Sequence, residues 1–217
     1  MSTDQVTSSA SQVRIFGTVI STYTRIVEIT CEEVGLPHMV IPTPARSPGN
    51  RHPFGKVPVV HVDGLELIES VAITQYLDNQ HGEGRLQPGD PVKRAVMDKW
   101  VALANNYLFP LFENGLVMPW IMHRVVGEPL DHDKINRALP QISLTLGYIE
   151  GELDSDGAWT SCGDFTFADV FIYPIIRGLE LTPQGEIGIA QCDRISAWLR
   201  TCEKRASITA TQWESES

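Results

Sequence analysis

Short apolar runs and amphipathic segments alternate along the first third of the chain. Segment 22–34 repeats apolar side chains at helical spacing, and Gly35 is placed to end the helix that this spacing predicts. Two apolar runs flank Asp63-Gly64, a dipeptide typical of two-residue hairpin turns. The resulting order of strand, helix, strand, loop, hairpin and helix predicts a compact α/β unit. We predict strands at 13–16, 38–42, 57–62 and 65–69, helices at 22–34 and 70–80, and a loop at 42–55.

The pattern changes after a segment rich in glycine and proline at 81–91. Beyond it the apolar positions follow helical spacing, so an all-helical second domain is predicted. Pro110 is expected to end or kink the first of these helices, and a further kink is expected near Pro119. Helices are predicted at 92–109, 111–126, 133–154, 165–179 and 193–204. The predicted division is a disordered tail at 1–12, an α/β domain at 13–82, a linker at 83–91 and a helical domain at 92–209.

Composition and charge exclude several classes of partner. The 217-residue chain is 42% hydrophobic and 20% charged, which is ordinary for a globular protein. Its formal net charge is −10 without any cluster of lysine and arginine, so neither nucleic acid nor an anionic membrane is expected as a partner. No apolar run approaches the roughly 20 residues needed to span a membrane, and the polar start lacks the features of a signal peptide.

The cysteines and histidines show no spacing typical of a metal site. We interpret the four cysteines as reduced thiols, which predicts a cytoplasmic protein without a bound metal. They are Cys31, Cys162, Cys192 and Cys202.

A proline at position 58 interrupts the apolar run 57–62, where the middle of a strand would not tolerate it. A cis Val57-Pro58 bond would explain it and would leave the Val57 backbone groups free to pair with an extended peptide. The alternative is a proline on an edge strand.

Glu69-Ser70 stands where a strand gives way to a helix. Ser70 is a good N-cap, and this structural role is the simpler interpretation. A helix N-terminus also attracts a carboxylate, and Glu69 beside it can accept a hydrogen bond from an ammonium group. Together the two residues suit the zwitterionic end of an amino acid.

These segments carry a family resemblance. "FGKVP", "DG" and "ESVAI.QYL" resemble the glutathione-site signature of cytosolic glutathione S-transferases, and "GDFTFADVFIYPII" at 163–176 resembles their second signature. The resemblance runs from about Val13 to about Cys202. It implies a thioredoxin-like N-terminal domain followed by a helical C-terminal domain, in an enzyme.

The hydroxyl-rich stretch 21–24 resembles the phi- and theta-like classes, in which a serine after the first strand is catalytic. The resemblance implies that Ser21 donates a hydrogen bond to the glutathione sulfur and stabilises its thiolate. Thr22 and Thr24 are interpreted from the sequence as helix caps. Tyr23 is a second donor or a wall of the electrophile pocket. The other pocket residues implied are Phe112, Leu116 and Trp120.

The resemblance also implies how glutathione is held. Val57 pairs through its backbone with the cysteinyl part beside cis-Pro58, and Lys56 reaches the glycyl carboxylate. Glu69 and Ser70 hold the γ-glutamyl head. The loop before this signature is shorter than is usual in the family, and the charged replacements available for the glycyl carboxylate are Arg46, Arg51 and His52, which are alternatively solvated loop charges.

The function implied is the conjugation of glutathione to electrophilic small molecules, as in detoxification, by a cytoplasmic homodimer that uses glutathione as co-substrate and no metal. Two alternatives stay open: a glutathione-dependent peroxidase, isomerase or dehalogenase, and a non-catalytic binding protein of the same fold. No cysteine lies near position 21, which argues against thiol-exchange chemistry.

Overall fold

The computed structural model describes residues 12–154, 159–160 and 162–216, which form two compact units. The N-terminal unit runs to Glu83, and the C-terminal unit begins at Gly84. Of the tail predicted at 1–12, only Gln12 lies within the described residues, and it is exposed. None of the described helices is long and apolar enough to cross a membrane.

The N-terminal unit has a mixed sheet and two helices. Its elements are β1 (Val13–Gly17), α1 (Thr22–Val34), β2 (His38–Pro42), β3 (Val59–Val62), β4 (Leu65–Leu67) and α2 (Ser70–His81). The strand order is β2-β1-β3-β4, with β1 parallel to β2 and antiparallel to β3. This arrangement confirms the predicted thioredoxin-like fold. The prediction that β3 begins at Val57 is wrong: the strand begins at Val59, because the proline before it cannot donate to the ladder.

The core of this unit lies between the sheet and the two helices. Alternate residues of β1 and β3 point inward, as the period of two along a strand requires. They meet the apolar faces of α1 and α2, so the junctions at which both helices begin are fixed by one core. The buried members of this cluster are Val13, Ile15, Val27, Cys31, Val60, Val62, Ile73 and Leu77.

The described part of the C-terminal unit is helical. Its α-helices are α3 (Pro91–Leu103), α4 (Phe109–Phe112), α5 (Met118–Ile121), α6 (His132–Glu152), α7 (Phe167–Glu180), α8 (Pro183–Ala190), α9 (Asp193–Cys202) and α10 (Ala206–Ala210). Three π-helical segments alternate with the short helices: π1 (Ala104–Leu108) precedes α4, π2 (Glu113–Val117) separates α4 from α5, and π3 (Met122–Val126) follows α5. A 3₁₀ turn spans Glu214–Glu216.

Pro110 does not end the helix, which excludes one of the two effects expected of it. Helical geometry continues from α3 to Val126, and each proline is the second residue of a short α segment that directly follows a π segment. Pro110 follows π1 in this way, and Pro119 follows π2. A π turn is wider than an α turn, so it accommodates the proline ring and the missing N–H without ending the helix.

Helix α7 forms the centre of the C-terminal unit. Every residue from Phe167 to Leu179 is buried except Arg177. A capping box begins the helix: the Thr166 hydroxyl accepts a hydrogen bond from the Ala168 N–H at 3.2 Å, and the Thr166 N–H donates to Asp169 Oδ2 at 2.9 Å.

Candidate active site

Ser21 is the N-cap of α1. Its backbone is extended (φ −79°, ψ 123°), and its Oγ accepts a hydrogen bond from the Thr24 N–H at 3.3 Å. A hydroxyl has one proton to donate as well as lone pairs to accept, so this cap leaves the Ser21 O–H for another acceptor. The half-buried side chain therefore presents a donor at the positive end of the helix dipole.

The other hydroxyl residues of the stretch lie within the first turn of α1, so the expectation that Thr22 and Thr24 cap the helix is wrong. Thr22 and Thr24 are buried, and Tyr23 is half-buried. Gly17 explains how closely this turn approaches the end of β1, since a Cβ at Gly17 would lie 2.3 Å from Thr24 Oγ1. Ser21 is thus the hydroxyl of the stretch whose geometry best suits an external acceptor.

Arg25 is fully buried on α1. Its guanidinium partly offsets the effect of burial on Glu28, whose pKa is nevertheless raised to about 7, chiefly by desolvation.

The Val57-Pro58 bond is cis, as predicted. Val57 is half-buried and directly precedes β3, whose pairing with β1 ends at Phe16 and Val59. Its backbone therefore lies outside the paired register of the sheet. Lys56 beside it is exposed, and its carbonyl accepts a hydrogen bond from Asn50 Nδ2 at 2.9 Å.

Glu69, not Ser70, is the N-cap of α2, so the predicted cap is wrong. Ser70 is already the first helical residue, and the Glu69 side chain makes no cap hydrogen bond. Glu69 has φ +66°, a conformation that costs a residue with a Cβ about 1–3 kcal/mol and is concentrated at functional sites. Its side chain is 63% exposed. The junction thus holds an exposed carboxylate next to the N–H groups of a helix N-terminus, which lack partners within the helix.

His52 lies within reach of this carboxylate. Its side chain is 2% exposed, and its Nε2 is 3.8 Å from Glu69 Oε1. Its Nδ1 accepts a hydrogen bond from the Phe54 N–H at 3.1 Å. The structure therefore brings together two of the predicted residues that are seventeen positions apart (69 − 52) in the sequence.

Arg51 points to a different part of the unit. Its Nε lies 2.8 Å from Glu66 Oε2, and its Nη1 is 3.4 Å from His61 Nε2. These residues line an open cavity of about 430 Å³ at the β3–β4 hairpin, together with Arg14 and Asp63. Neither Glu69 nor Ser21 lines that cavity, so its size is no argument for placing the chemistry there.

Asn50 is a residue that sequence reasoning missed. Its Oδ1 accepts from the His52 N–H at 2.8 Å, and its amide donates to the Pro44 and Lys56 carbonyls. One side chain thus organises the loop between β2 and β3. The local signal was Pro48-Gly49-Asn50, since asparagine in a turn bonds to nearby backbone.

The predicted electrophile-pocket residues differ in exposure. Phe112 and Leu116 are fully buried, as core residues are, and offer no side-chain surface to a ligand. Trp120 is half-buried, and its Nε1 donates to Gln184 Oε1 at 2.9 Å. The half-buried Glu113 beside Phe112 has a pKa raised to about 7 by burial alone. The pocket stays a prediction. Of its other predicted residues, Tyr23 in the N-terminal unit is half-buried.

The four cysteines are free and buried. Burial raises the pKa of all four thiols, which makes them poor nucleophiles. Among the residues that the structure describes, no group of His, Cys, Asp and Glu is arranged to hold a metal ion.

Comparison with known proteins gives consistent matches. Residues 15–85 match the family model of the glutathione S-transferase N-terminal domain. A glutathione S-transferase of Arabidopsis thaliana is 28% identical over 74% of this chain, a match that spans 64% of the plant protein and thus less than two thirds of its length. Glutathione S-transferase GstB of Escherichia coli is 30% identical over 77% of this chain and 83% of its own.

Solved structures match the fold over more of the chain. A glutathione transferase of Populus trichocarpa superposes with a TM-score of 0.80 at 23% identity, over 92% of this chain and 96% of its own. A theta-class glutathione S-transferase of Xanthomonas axonopodis pv. citri, solved with glutathione bound, has a TM-score of 0.77 at 25% identity, over 90% of this chain and 94% of its own.

Proposed function

The chain belongs to the glutathione S-transferase family, and on that premise we propose that it joins the thiol of glutathione to electrophilic small molecules. The observation that carries this proposal is Ser21, which caps α1 through its lone pair and keeps its O–H proton available. Glutathione as co-substrate is supported by the family and by its presence in the Xanthomonas relative.

The chemistry follows from the acidity of the thiol. A free thiol has a pKa near 8.5, so at neutral pH about 95% or more of it is protonated and unreactive. A hydrogen bond from the Ser21 hydroxyl and the positive end of α1 both favour the thiolate, since each interacts better with the charged form. The thiol proton leaves to solvent. The thiolate then forms a carbon–sulfur bond with the electrophile, and the leaving group departs with its electron pair.

The remaining site residues are proposed to bind the peptide. The Glu69 carboxylate accepts from the γ-glutamyl ammonium group, while the N-terminal N–H groups of α2 at Ser70 face the γ-glutamyl carboxylate. The Val57 backbone pairs with the cysteinyl part, and the exposed Lys56 reaches the glycyl carboxylate. Arg51 is engaged with Glu66 and would have to leave it to take part.

We also propose that the enzyme is a cytoplasmic homodimer, an assembly common in the family. Light scattering on the purified protein should give twice the mass of the 24.1 kDa chain. A monomeric mass at micromolar concentration would refute this part.

The test of function combines binding with turnover. The protein should be retained on immobilised glutathione, should elute with free glutathione, and should release chloride from a chlorinated dinitrobenzene. Ser21→Ala should still bind but lose most of its turnover. Retention without turnover on any electrophile would favour a binding protein, and failure to bind glutathione would overturn the proposal.

A further inference from the structure

His52 and Glu69 belong to separate segments, the loop between β2 and β3 and the junction between β4 and α2, yet they meet at 3.8 Å. We propose that His52 is a positioning residue: its ring holds the Glu69 carboxylate where it recognises the α-ammonium group of glutathione. This inference rests on the proposed function and gives His52 a role other than the contact with the glycyl carboxylate that the sequence suggested.

The hydrogen bonds of the ring fix its tautomer. Nδ1 accepts from the Phe54 N–H at 3.1 Å, so it carries a lone pair and no proton. In a neutral imidazole the proton then lies on Nε2, the atom nearest to Glu69 Oε1. His52 therefore directs a donor toward one carboxylate oxygen, and Oε2 is left to accept from a ligand.

The contrast in exposure shows which partner is fixed. The His52 side chain is 2% exposed, whereas that of Glu69 is 63% exposed. The His52 N–H donates to Asn50 Oδ1 at 2.8 Å, and its carbonyl accepts from the Gly55 N–H at 2.9 Å. Loop contacts thus set the position of the His52 ring independently of Glu69. The Glu69 side chain, which is exposed, is the partner that can change its conformation.

The distance of 3.8 Å exceeds that of a hydrogen bond, so the contact is electrostatic in this conformation. The Glu69 side chain is exposed, and an approach of the two atoms by about 0.5–1 Å would make the contact a hydrogen bond. A side chain that is restricted before the ligand arrives loses less conformational entropy on binding. Losing His52 should therefore weaken binding of the ammonium group about three- to ten-fold, which corresponds to about 0.7–1.4 kcal/mol.

Two amide substitutions separate the two nitrogens of the ring. His52→Asn keeps an acceptor near the Nδ1 position for the Phe54 N–H, but its side chain ends before Glu69. His52→Gln extends to the Nε2 position and places an amide N–H near Glu69, but it has no acceptor for Phe54. A role in holding the loop is lost in the second variant, and a role in holding Glu69 is lost in the first.

The experiment measures by calorimetry the affinity for glutathione and for an analogue whose γ-glutamyl α-amino group is replaced by hydrogen. His52→Asn should weaken glutathione binding about three- to ten-fold and leave analogue binding within about twofold, because only the ammonium group uses Glu69. His52→Gln should retain the wild-type preference for the amine. In the Glu69→Gln background, His52→Asn should have no further effect on the preference.

Equal weakening of both ligands by His52→Asn would overturn the inference and assign the ring to loop structure alone. An unchanged affinity for both ligands would also overturn the inference, because the contact between His52 and Glu69 would then contribute nothing to binding. A wild-type protein that binds neither ligand would instead refute the proposed function. This result distinguishes a failure of the proposed function from a failure of the inference about His52. Should His52→Asn fail to fold, a loss of the amine preference in His52→Gln would refute the inference by itself.

Discussion

Asp169 accepts four hydrogen bonds at the start of α7, and its replacement by alanine should destabilise the protein. Oδ1 accepts from the Trp198 indole at 2.9 Å and the Thr160 N–H at 3.2 Å, while Oδ2 accepts from the Thr166 N–H and hydroxyl. All of these groups are buried. The Thr166 hydroxyl can turn to another acceptor, so Asp169→Ala orphans three N–H donors.

The expected loss of stability is the cost of the orphaned donors less the gain from removing a buried charge. An orphaned buried donor costs about 2 kcal/mol, which gives about 6 kcal/mol for three donors. Burial raises the pKa of Asp169 from 3.8 to about 6, so its charged form is penalised by about 3 kcal/mol at neutral pH, and the variant is relieved of that penalty. Asp169→Ala should therefore lower the free energy of unfolding by about 3 kcal/mol at pH 7.5.

The pH dependence gives a second signature. The folded pKa of Asp169 lies above its unfolded value, so the stability linked to its protonation is fully present below pH 3.8 and is lost as the pH rises through about 6. Between pH 7.5 and pH 5.5 the free energy of unfolding of the wild type should rise by about 1 kcal/mol through this group, and that of Asp169→Ala should not. The difference in stability between the two proteins should therefore widen to about 4 kcal/mol.

Urea unfolding followed by circular dichroism at both pH values measures these gaps. Asp164→Ala is the matched control, because it removes an exposed carboxylate five residues before Asp169 (169 − 164) and should change stability by less than about 0.5 kcal/mol. A loss in Asp169→Ala no greater than in the control, or a gap that stays constant between the two pH values, would refute the reasoning.

Three further predictions concern helix packing, the pH dependence of stability and the cap of α1. Gly185→Ala should destabilise the protein by at least about 2 kcal/mol in urea unfolding, because its Cβ would lie 1.9 Å from the Leu179 carbonyl oxygen. Gly151→Ala, with open space at an exposed helical position, should stabilise it by about 0.5–1 kcal/mol. Equal effects of the two substitutions would contradict the packing described. Glu28→Gln removes a carboxyl whose folded pKa, about 7, exceeds its unfolded value of 4.5. The wild type therefore loses stability as the pH rises through 7, and between pH 6 and pH 8 the stability of the variant relative to the wild type should rise by about 1 kcal/mol. Parallel stability curves would refute the assignment. Ser21→Ala should cost about 1 kcal/mol of stability through loss of the cap, measured in thermal melts. Ser21→Asp restores an acceptor for the Thr24 N–H and should recover most of that loss. An aspartate variant as unstable as the alanine variant would argue against the capping geometry.

The fold of the N-terminal unit was predictable because its signals are local. Gly35 adopts the left-handed conformation that ends α1, and the Asp63-Gly64 turn joins β3 to β4 as its sequence indicates. Such signals depend on steric limits of one or two residues, which hold in any tertiary context.

The helical unit was predicted less completely. Helix α8 carries a start signal in Thr182-Pro183, a cap followed by a proline in the first turn, but Gly185 and Gly188 weaken the helical pattern and the helix was missed. The π segments around Pro110 were not predictable from proline alone, since the ring excludes an α-helical hydrogen bond but not a wider turn.

Residue types at the site were predictable, but their contacts were not. Val57-Pro58 stands out in sequence because a proline interrupts an apolar run, and Glu69 because it stands where a strand gives way to a helix. Whether His52 faces the glycyl or the γ-glutamyl end depends on the path of a loop held by Asn50, which no periodicity describes. Long-range contacts of this kind require the tertiary structure.

The central claim is that the Ser21 hydroxyl donates to the glutathione sulfur. The most direct measurement is the thiolate ultraviolet band of bound glutathione as a function of pH, in the wild type and in Ser21→Ala, with Ser21→Asp as the variant that keeps the cap but offers no proton. A hydrogen bond to a charged group is worth about 1.5–3 kcal/mol, so the pKa of the bound thiol should rise by about one to two units in Ser21→Ala. It should rise further in Ser21→Asp, where a carboxylate faces the sulfur. A thiol pKa in Ser21→Ala equal to that of the wild type would contradict the claim.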